Sequence, residues 1–103
     1  MPMQEVTWSG ILDIRSVGGL RAELDHILVQ GMDVLIDFSA VERVDTAVSQ
    51  LLFSFKQTIN MQSHQLIIRS VPEHVREGWM LLGLVHLIES EPPSSFVELD
   101  KVI

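Results

Sequence analysis

The sequence predicts a single α/β domain in which helices cover a mixed or parallel β-sheet. Short apolar runs, which are typical of buried strands, alternate along the chain with segments whose apolar residues recur at helical spacing. Strands that alternate with helices favour crossover connections and parallel neighbours. The chain has 103 residues, the size of one domain, and shows no internal repeat or linker. We therefore expect residues 1–103 to form one domain with about four to five strands and three to four helices.

The first strand and the first helix are predicted from residue spacing. Val6 and Trp8 lie two residues apart and therefore face the same side of a strand, while residues 9–10 indicate a bend or bulge. Gly31 follows a stripe of apolar residues at helical spacing and is a typical helix end. This stripe consists of Leu20, Leu24, Ile27 and Leu28.

The second strand and the second helix are predicted in the middle of the chain. Residues 34–36 form a short apolar run between two helical segments, which predicts a strand covered on both faces. Residues 39–45 contain few apolar side chains, and we expect them to be a connection. A helix then begins with Asp45 or Thr46 as its N-cap. Its apolar face shows the clearest periodicity in the chain: Val48, Leu51, Leu52, Phe55 and Ile59.

The last third of the chain repeats the alternation of strand and helix. Residues 66–68 form another apolar run and predict a strand. Residues 71–72 open a third helix, because proline is tolerated at the first helical position, and Gly83 ends it. We expect residues 84–88 to form a short strand and residues 89–103 to be an exposed loop and tail. The buried side of the third helix is predicted to hold Val75, Trp79 and Leu82.

The composition argues against several classes of partner. Seven basic and 14 acidic residues give a net charge of -7, and the basic residues are scattered, so nucleic acid and anionic membranes are poor partners. The N-terminus lacks a signal-peptide pattern, and no apolar run has the roughly 18 residues of a membrane span. We therefore expect a cytoplasmic protein without direct membrane insertion. The absence of cysteine excludes disulfides and thiolate metal sites.

The residues offer no recognisable catalytic set. Neither a Walker loop nor a Gly-x-Gly-x-x-Gly pattern occurs, and the four histidines lack the paired spacing of metal ligands. Asp13, Asp37 and Asp45 could gather at strand ends and chelate magnesium. Aspartates at such junctions more often close turns and cap helices. We predict no enzymatic activity, no cofactor and no metal.

The segment of residues 44–47 is the candidate functional site. Thr46 is predicted at a helix N-terminus, where free backbone N–H groups and the helix dipole favour negative charge. A phosphate on its hydroxyl would be favoured there and would add nearly two negative charges, which can repel a partner. The alternative is that Thr46 only caps the helix, since serine and threonine are common N-caps.

The same segment belongs to a wider resemblance to a known family. The pattern resembles that of the STAS domains, named for sulfate transporters and anti-sigma factor antagonists. It includes residues 10–13 and the amphipathic first helix, and its core is residues 35–39 and 41–47. Residues 66–68 and 81–84 also fit. The resemblance covers roughly residues 5–90 and implies the STAS-like (SpoIIAA-like) α/β fold. It also implies a non-enzymatic bacterial regulatory domain that binds a protein partner through the loop and helix at Asp45-Thr46.

The family pattern also bears on phosphorylation. In anti-sigma factor antagonists, the second residue after the aspartate is a serine that the partner kinase phosphorylates. Ala47 occupies that position here, so the switch is absent in its usual form, whereas Thr46 matches the first hydroxyl position. The segment looks closer to two subgroups: STAS proteins found with chemotaxis genes, and the STAS subunit of a bacterial phospholipid-transport ATPase complex.

Two kinds of partner follow from this resemblance. The first is an anti-sigma factor or kinase-like regulator in a signalling pathway. The alternative is the membrane-transport machinery, with the chain as the accessory subunit of a phospholipid-transport ABC complex. A homodimer through an edge strand or the Trp79 face is also left open.

The predicted site comprises Asp45, Thr46 and Ser49. The first two match the family pattern. Ser49 is added because it lies one helical turn after Thr46, so that both hydroxyls can face one partner. The alternative for Ser49 is an ordinary solvated helix residue.

Overall fold

A computed structural model describes residues 3–87 of the chain. Strands and helices alternate in it, and a short 3-10 turn comes last. Their bounds are Met3–Leu12 (β1), Val17–Val29 (α1), Asp33–Val44 (β2), Thr46–Met61 (α2), Leu66–Arg69 (β3), Glu73–Leu81 (α3) and Val85–Leu87 for the 3-10 turn. The loop and tail predicted for residues 89–103 lie outside the described residues. No helix within residues 3–87 has both the length and the apolar character needed to span a membrane.

The strands form one sheet in the order β1-β2-β3, and both pairings are parallel. The register places Val6 beside Ile36, and Ile36 beside Ile68, so an apolar row crosses the sheet. A helix connects each strand to the next, as parallel neighbours require. The α/β prediction is confirmed. Over residues 3–87 the sheet has three strands, and all of them are parallel. We predicted four to five strands in a mixed or parallel sheet.

β1 is irregular near its middle. Its pairing with β2 shifts between Thr7 and Ser9, and again between Gly10 and Ile11. Gly10 has a φ of 77°, a conformation that glycine adopts at little cost and that bulges use. The bend or bulge predicted at residues 9–10 is confirmed.

β2 is longer than predicted. Residues 39–44 continue the strand and are not a connection, because β1 pairs with them beyond its bulges, with Gly10 beside Val41. Val41 is buried, whereas its neighbours on β2 are mostly exposed. The low apolar content of residues 39–44 therefore indicates a strand with one side facing solvent. As a result, β2 ends immediately before Asp45.

The hydrophobic core lies on one face of the sheet. Val34 and Ile36 are fully buried in a cluster that includes residues of all three α-helices. Leu35 is also buried but lies outside that cluster, between Glu5 and Ile67 in the register. Residues 34–36 are thus buried as predicted, but only one face of this strand contributes to the core.

A row of three aromatic rings links the sheet to α3. Phe38 lies between Trp8 and Trp79, with ring centroids 6.0 Å and 5.8 Å apart. All three side chains are buried. The row passes from β1 through β2 to α3 and so fixes α3 against the middle of the sheet.

The chain turns at Gly83, just after α3. Gly83 has a φ of 77°, and the N–H of Leu84 then donates to the carbonyl of Trp79 at 2.8 Å. Residues 85–87 form the 3-10 turn, so the strand predicted for residues 84–88 is wrong over its described part. Leu84 and Leu87 are both buried, and their spacing of three suits a helical turn, not the two-residue alternation of a strand.

Candidate partner-binding site

Asp45 joins β2 to α2 and is held on several sides. Its N–H donates to the carbonyl of Leu12 at 3.0 Å, which ties it to the end of β1. Its carboxylate Oδ1 accepts from the N–H of Val48 at 3.1 Å and so caps α2. Its carbonyl accepts from the backbone N–H and the hydroxyl of Ser49, at 3.1 Å and 2.9 Å. The backbone at this corner is therefore fixed.

Thr46 is the first residue of α2, and its side chain is exposed. The sequence left Asp45 and Thr46 as alternative caps, and Asp45 has that role. The interpretation of Thr46 as only a cap is therefore wrong. Within residues 3–87 the Thr46 hydroxyl has no hydrogen-bond partner. This hydroxyl is thus available for hydrogen bonding and sits on a backbone that is fixed by hydrogen bonds.

Ser49 is buried, with only 1% of its surface exposed. Its hydroxyl donates to the carbonyl of Asp45 and accepts from the indole Nε1 of Trp79 at 2.8 Å. We predicted that Ser49 would face a partner beside Thr46, and this orientation is not observed, because α3 packs over that side of α2. Ser49 instead connects α3 to the fixed corner at Asp45.

A groove of about 360 Å³ lies between the N-terminus of α2 and α3, and we call it the α2–α3 groove. Asp45 and Thr46 line one side of it, and Gly78, Leu81 and Leu82 line the other. Leu81 is 89% exposed and Leu82 is 45% exposed. The exposed hydroxyl of Thr46 therefore stands beside an exposed apolar rim.

This rim was not predicted from the sequence. Leu82 was predicted to be buried, but it lies just past the end of α3 and is half-exposed. A signal was present: residues 79–82 are four large apolar residues in a row, and a helix turns about 100° per residue. They cannot all face the core, so at least one of them had to be exposed.

A second groove, of about 370 Å³, lies between α1 and α2. Ala47 lines it together with Val17 and Arg21 of α1. Thr46 and Ala47 are adjacent in sequence but line different grooves. The two hydroxyl positions of the family pattern therefore face different surroundings in this chain.

His74 anchors the start of α3 to the end of β2. Its Nε2 lies 2.6 Å from the carbonyl oxygen of Glu42. This contact sets the position of α3 at one end of the α2–α3 groove, and the bond between Trp79 and Ser49 sets it near the middle. The α3 wall of the groove is thus anchored at two points.

Asp13 follows the end of β1 and Asp45 follows the end of β2, but Asp37, which was also predicted at a strand end, lies inside β2 because that strand continues to Val44. Asp13 forms a 2.8 Å ion pair with Arg15, whose guanidinium bond holds the pKa of that carboxyl below its usual range. Asp37 accepts from the N–H of Ser39, and this bond, aided by Arg69, lowers its pKa. Over residues 3–87 no group of three or more histidine or acidic side chains is placed to hold a metal ion.

The comparisons with known proteins agree with this architecture. A family model described as "Mlab, STAS domain" matches residues 3–89. No curated protein sequence matches the chain significantly. Among solved structures, the unphosphorylated anti-sigma factor antagonist SpoIIAA is similar, with a TM-score of 0.69 and 16% identity over 97% of this chain and 90% of that one.

A second solved structure shows the same fold. It is the Bacillus cell fate determinant SpoIIAA in its phosphorylated form, with a TM-score of 0.64 and 17% identity over 97% of this chain and 92% of that one. At these identities the structures establish the fold alone. Because the family model spans most of the sequence, and because the fold agrees with it, the chain belongs to the STAS domain family.

Proposed function

We propose that this chain is a non-enzymatic regulatory module of the bacterial cytoplasm that binds a protein partner at Asp45-Thr46 and the adjoining α2–α3 groove. The observation that carries the proposal is the Thr46 hydroxyl. It is exposed and unpartnered, while the neighbouring backbone is fixed to β1 and capped by Asp45. A rigid backbone with an unused polar group loses little conformational entropy when a partner binds.

We further propose that phosphorylation of Thr46 controls this binding. The free N–H groups and the dipole at the start of α2 favour a phosphate there. The phosphate would also lie next to the Asp45 carboxylate, so the corner would carry close to three negative charges. A partner that approaches Asp45 with positive charge, or with an apolar surface, would respond to that change. A solved protein with this fold is described in a phosphorylated form, so the fold is compatible with such a switch. A kinase-type regulator as the partner is part of our proposal.

The proposal is tested by isolating the tagged chain from its native host and identifying the protein that co-purifies by mass spectrometry. The purified partner is then titrated with the wild-type chain, Thr46→Ala and Thr46→Glu. We expect Thr46→Glu to change the affinity at least tenfold, with an unchanged unfolding midpoint in urea, because the added negative charge lies beside Asp45. A basic group of the partner would bind more tightly, and an apolar surface less tightly. Intact-mass analysis of the native protein should show a phosphate that Thr46→Ala removes. Equal affinities of all three forms would reject the role of Thr46.

A second candidate is the accessory subunit of a phospholipid-transport ABC complex. The observation that favours it is Ala47, which removes the serine that anti-sigma factor antagonists use. In this case Thr46 would be a permanent contact and would carry no phosphate. The co-purified protein separates the two candidates, because the first predicts a kinase-like or anti-sigma regulator and the second an ATPase subunit.

A further inference from the structure

We propose that the α2–α3 groove binds a segment of the partner that places a bulky apolar side chain over Gly78 and a basic side chain against Asp45. This inference rests on the proposed function, and it specifies the chemistry of the partner at that site. Three features of the groove carry it: its glycine floor, its apolar rim and its single unpaired charge.

Gly78 leaves the backbone of α3 open to the groove. It lies inside a nine-residue helix, where glycine is less favourable than alanine. A Cβ built at Gly78 meets no heavy atom within 4 Å, so internal packing does not require the glycine. The missing side chain instead gives an outside group close access to the helix backbone.

The rim beside Gly78 is apolar and exposed. Leu81 has 89% of its surface exposed, and Leu82 follows it along the same side of the groove. Burial of these two leucine side chains by a partner would be favourable because it removes apolar surface from water. An apolar side chain seated over Gly78 would contact both leucines, so this end of the groove selects an apolar residue.

The other end of the groove selects a positive charge. Asp45 uses Oδ1 to cap α2, and within residues 3–87 no ion pair involves its carboxylate. Neither lysine nor arginine lines the groove. The chain as a whole carries a net charge of -7, so the surrounding potential also attracts cations. A partner segment with a basic and an apolar side chain therefore complements both ends.

The test uses three synthetic amphipathic helical peptides of about four turns. One contains leucine and lysine, one has glutamate in place of each lysine, and one has serine in place of each leucine. Binding is measured by isothermal titration, and the contact surface by amide shift changes in NMR spectra. We expect the leucine–lysine peptide to bind at least tenfold more tightly than either of the others, with shifts concentrated in residues 45–49 and 78–82.

Matched variants separate groove binding from attraction to an acidic surface. Leu81→Ser and Gly78→Leu should each weaken the leucine–lysine peptide about tenfold, and Asp45→Asn, which retains a good N-cap, should do the same. Met80→Ser is the control for Leu81, because Met80 is an exposed apolar neighbour that does not line the groove. Asp25→Asn on α1 is the control for Asp45. Both controls should change the affinity less than twofold.

Several results would overturn this inference: no binding of the leucine–lysine peptide, equal binding of the leucine–glutamate peptide, or equal effects of Asp25→Asn and Asp45→Asn. Failure here remains distinct from failure of the proposed function. If a co-purified partner is sensitive to Thr46→Glu but indifferent to Leu81→Ser, Thr46 is the binding site and the groove is not. If neither variant changes partner binding, both proposals fall.

Discussion

At the scale of single residues, Asp45 and Thr46 have different roles, although from the sequence either could have capped α2. Asp45 holds the structure, through its bonds to Leu12, Val48 and Ser49. The Thr46 side chain forms no hydrogen bond within residues 3–87 and is open to solvent. The residue that stabilises this corner is therefore distinct from the residue that presents chemistry to a partner.

This division predicts losses of stability of different size for substitutions at the two neighbouring residues. Asp45→Ala removes the N-cap and should lower the free energy of unfolding by about 1 kcal/mol, whereas Asp45→Asn should lower it by only a few tenths. Thr46→Ala should change it by less than about 0.5 kcal/mol, as surface substitutions do. Urea denaturation measures all three variants. A loss of about 1 kcal/mol in Thr46→Ala would show that the hydroxyl stabilises the helix after all.

At the scale of elements, α2 and α3 are joined by the buried bond between Ser49 and Trp79. Ser49→Ala leaves the indole N–H of Trp79 without its acceptor and should cost about 1–3 kcal/mol. Trp79→Phe removes the donor as well as part of the ring. The double variant should therefore cost less than the sum of the single variants, by an interaction energy of about 0.5–1.5 kcal/mol in urea denaturation. Strict additivity would mean that the bond contributes nothing to stability.

Two glycines, Gly78 inside α3 and Gly83 just beyond its end, give a second prediction at this scale. Gly78→Ala should raise the free energy of unfolding by about 0.5–1 kcal/mol, because the new methyl group enters open space in a helix interior. Gly83→Ala is the matched control and should lower it by about 1–2 kcal/mol, because its φ of 77° disfavours a side chain. Thermal or urea unfolding distinguishes the two signs. Loss of stability in Gly78→Ala would mean that this position is packed.

The elements also show how far the sequence could predict the structure. The helix α2 was predicted closely, because its apolar residues repeat at helical spacing over several turns. The second half of β2 was missed, since pairing with β1, and not apolar content, holds residues 39–44 in the strand. The burial of Ser49 could not be predicted, because it depends on α3, which packs over it from 30 residues further along the chain.

At the scale of the whole molecule, Asp37 links the central strand to β3. Its carboxylate accepts from the N–H of Ser39 at 2.8 Å and from Arg69 at 3.2 Å. The Ser39 bond is the main cause of its lowered pKa, and Arg69 adds to it. A carboxyl whose folded pKa is lowered stabilises the fold above its ordinary pKa, and this stabilisation is lost as the pH falls through the folded value.

We therefore expect Asp37 to contribute to acid unfolding of the protein. The difference in unfolding free energy between wild type and Asp37→Asn should be constant at neutral pH and shrink as the pH falls below the ordinary carboxyl pKa of 3.8. Arg69→Gln should retain most of the wild-type pH dependence, because the Ser39 bond remains. Denaturant titrations at a series of pH values measure these differences. Parallel profiles for wild type and Asp37→Asn would contradict the assignment.

The placement of Thr46 and Ala47 in different grooves has a consequence for how such domains acquire new partners. Successive residues on a helix project about 100° apart, so moving a hydroxyl by one position turns it from the α1 side to the α3 side. An exchange of the residue types at positions 46 and 47, with alanine first and the hydroxyl second, would therefore place a phosphate on the α1 side while the fold and the Asp45 cap stay the same. The first turn of α2 thus offers two positions for a phosphate, each facing a different groove. Of these two positions, this chain has a hydroxyl only at Thr46, which faces Gly78 and Leu81.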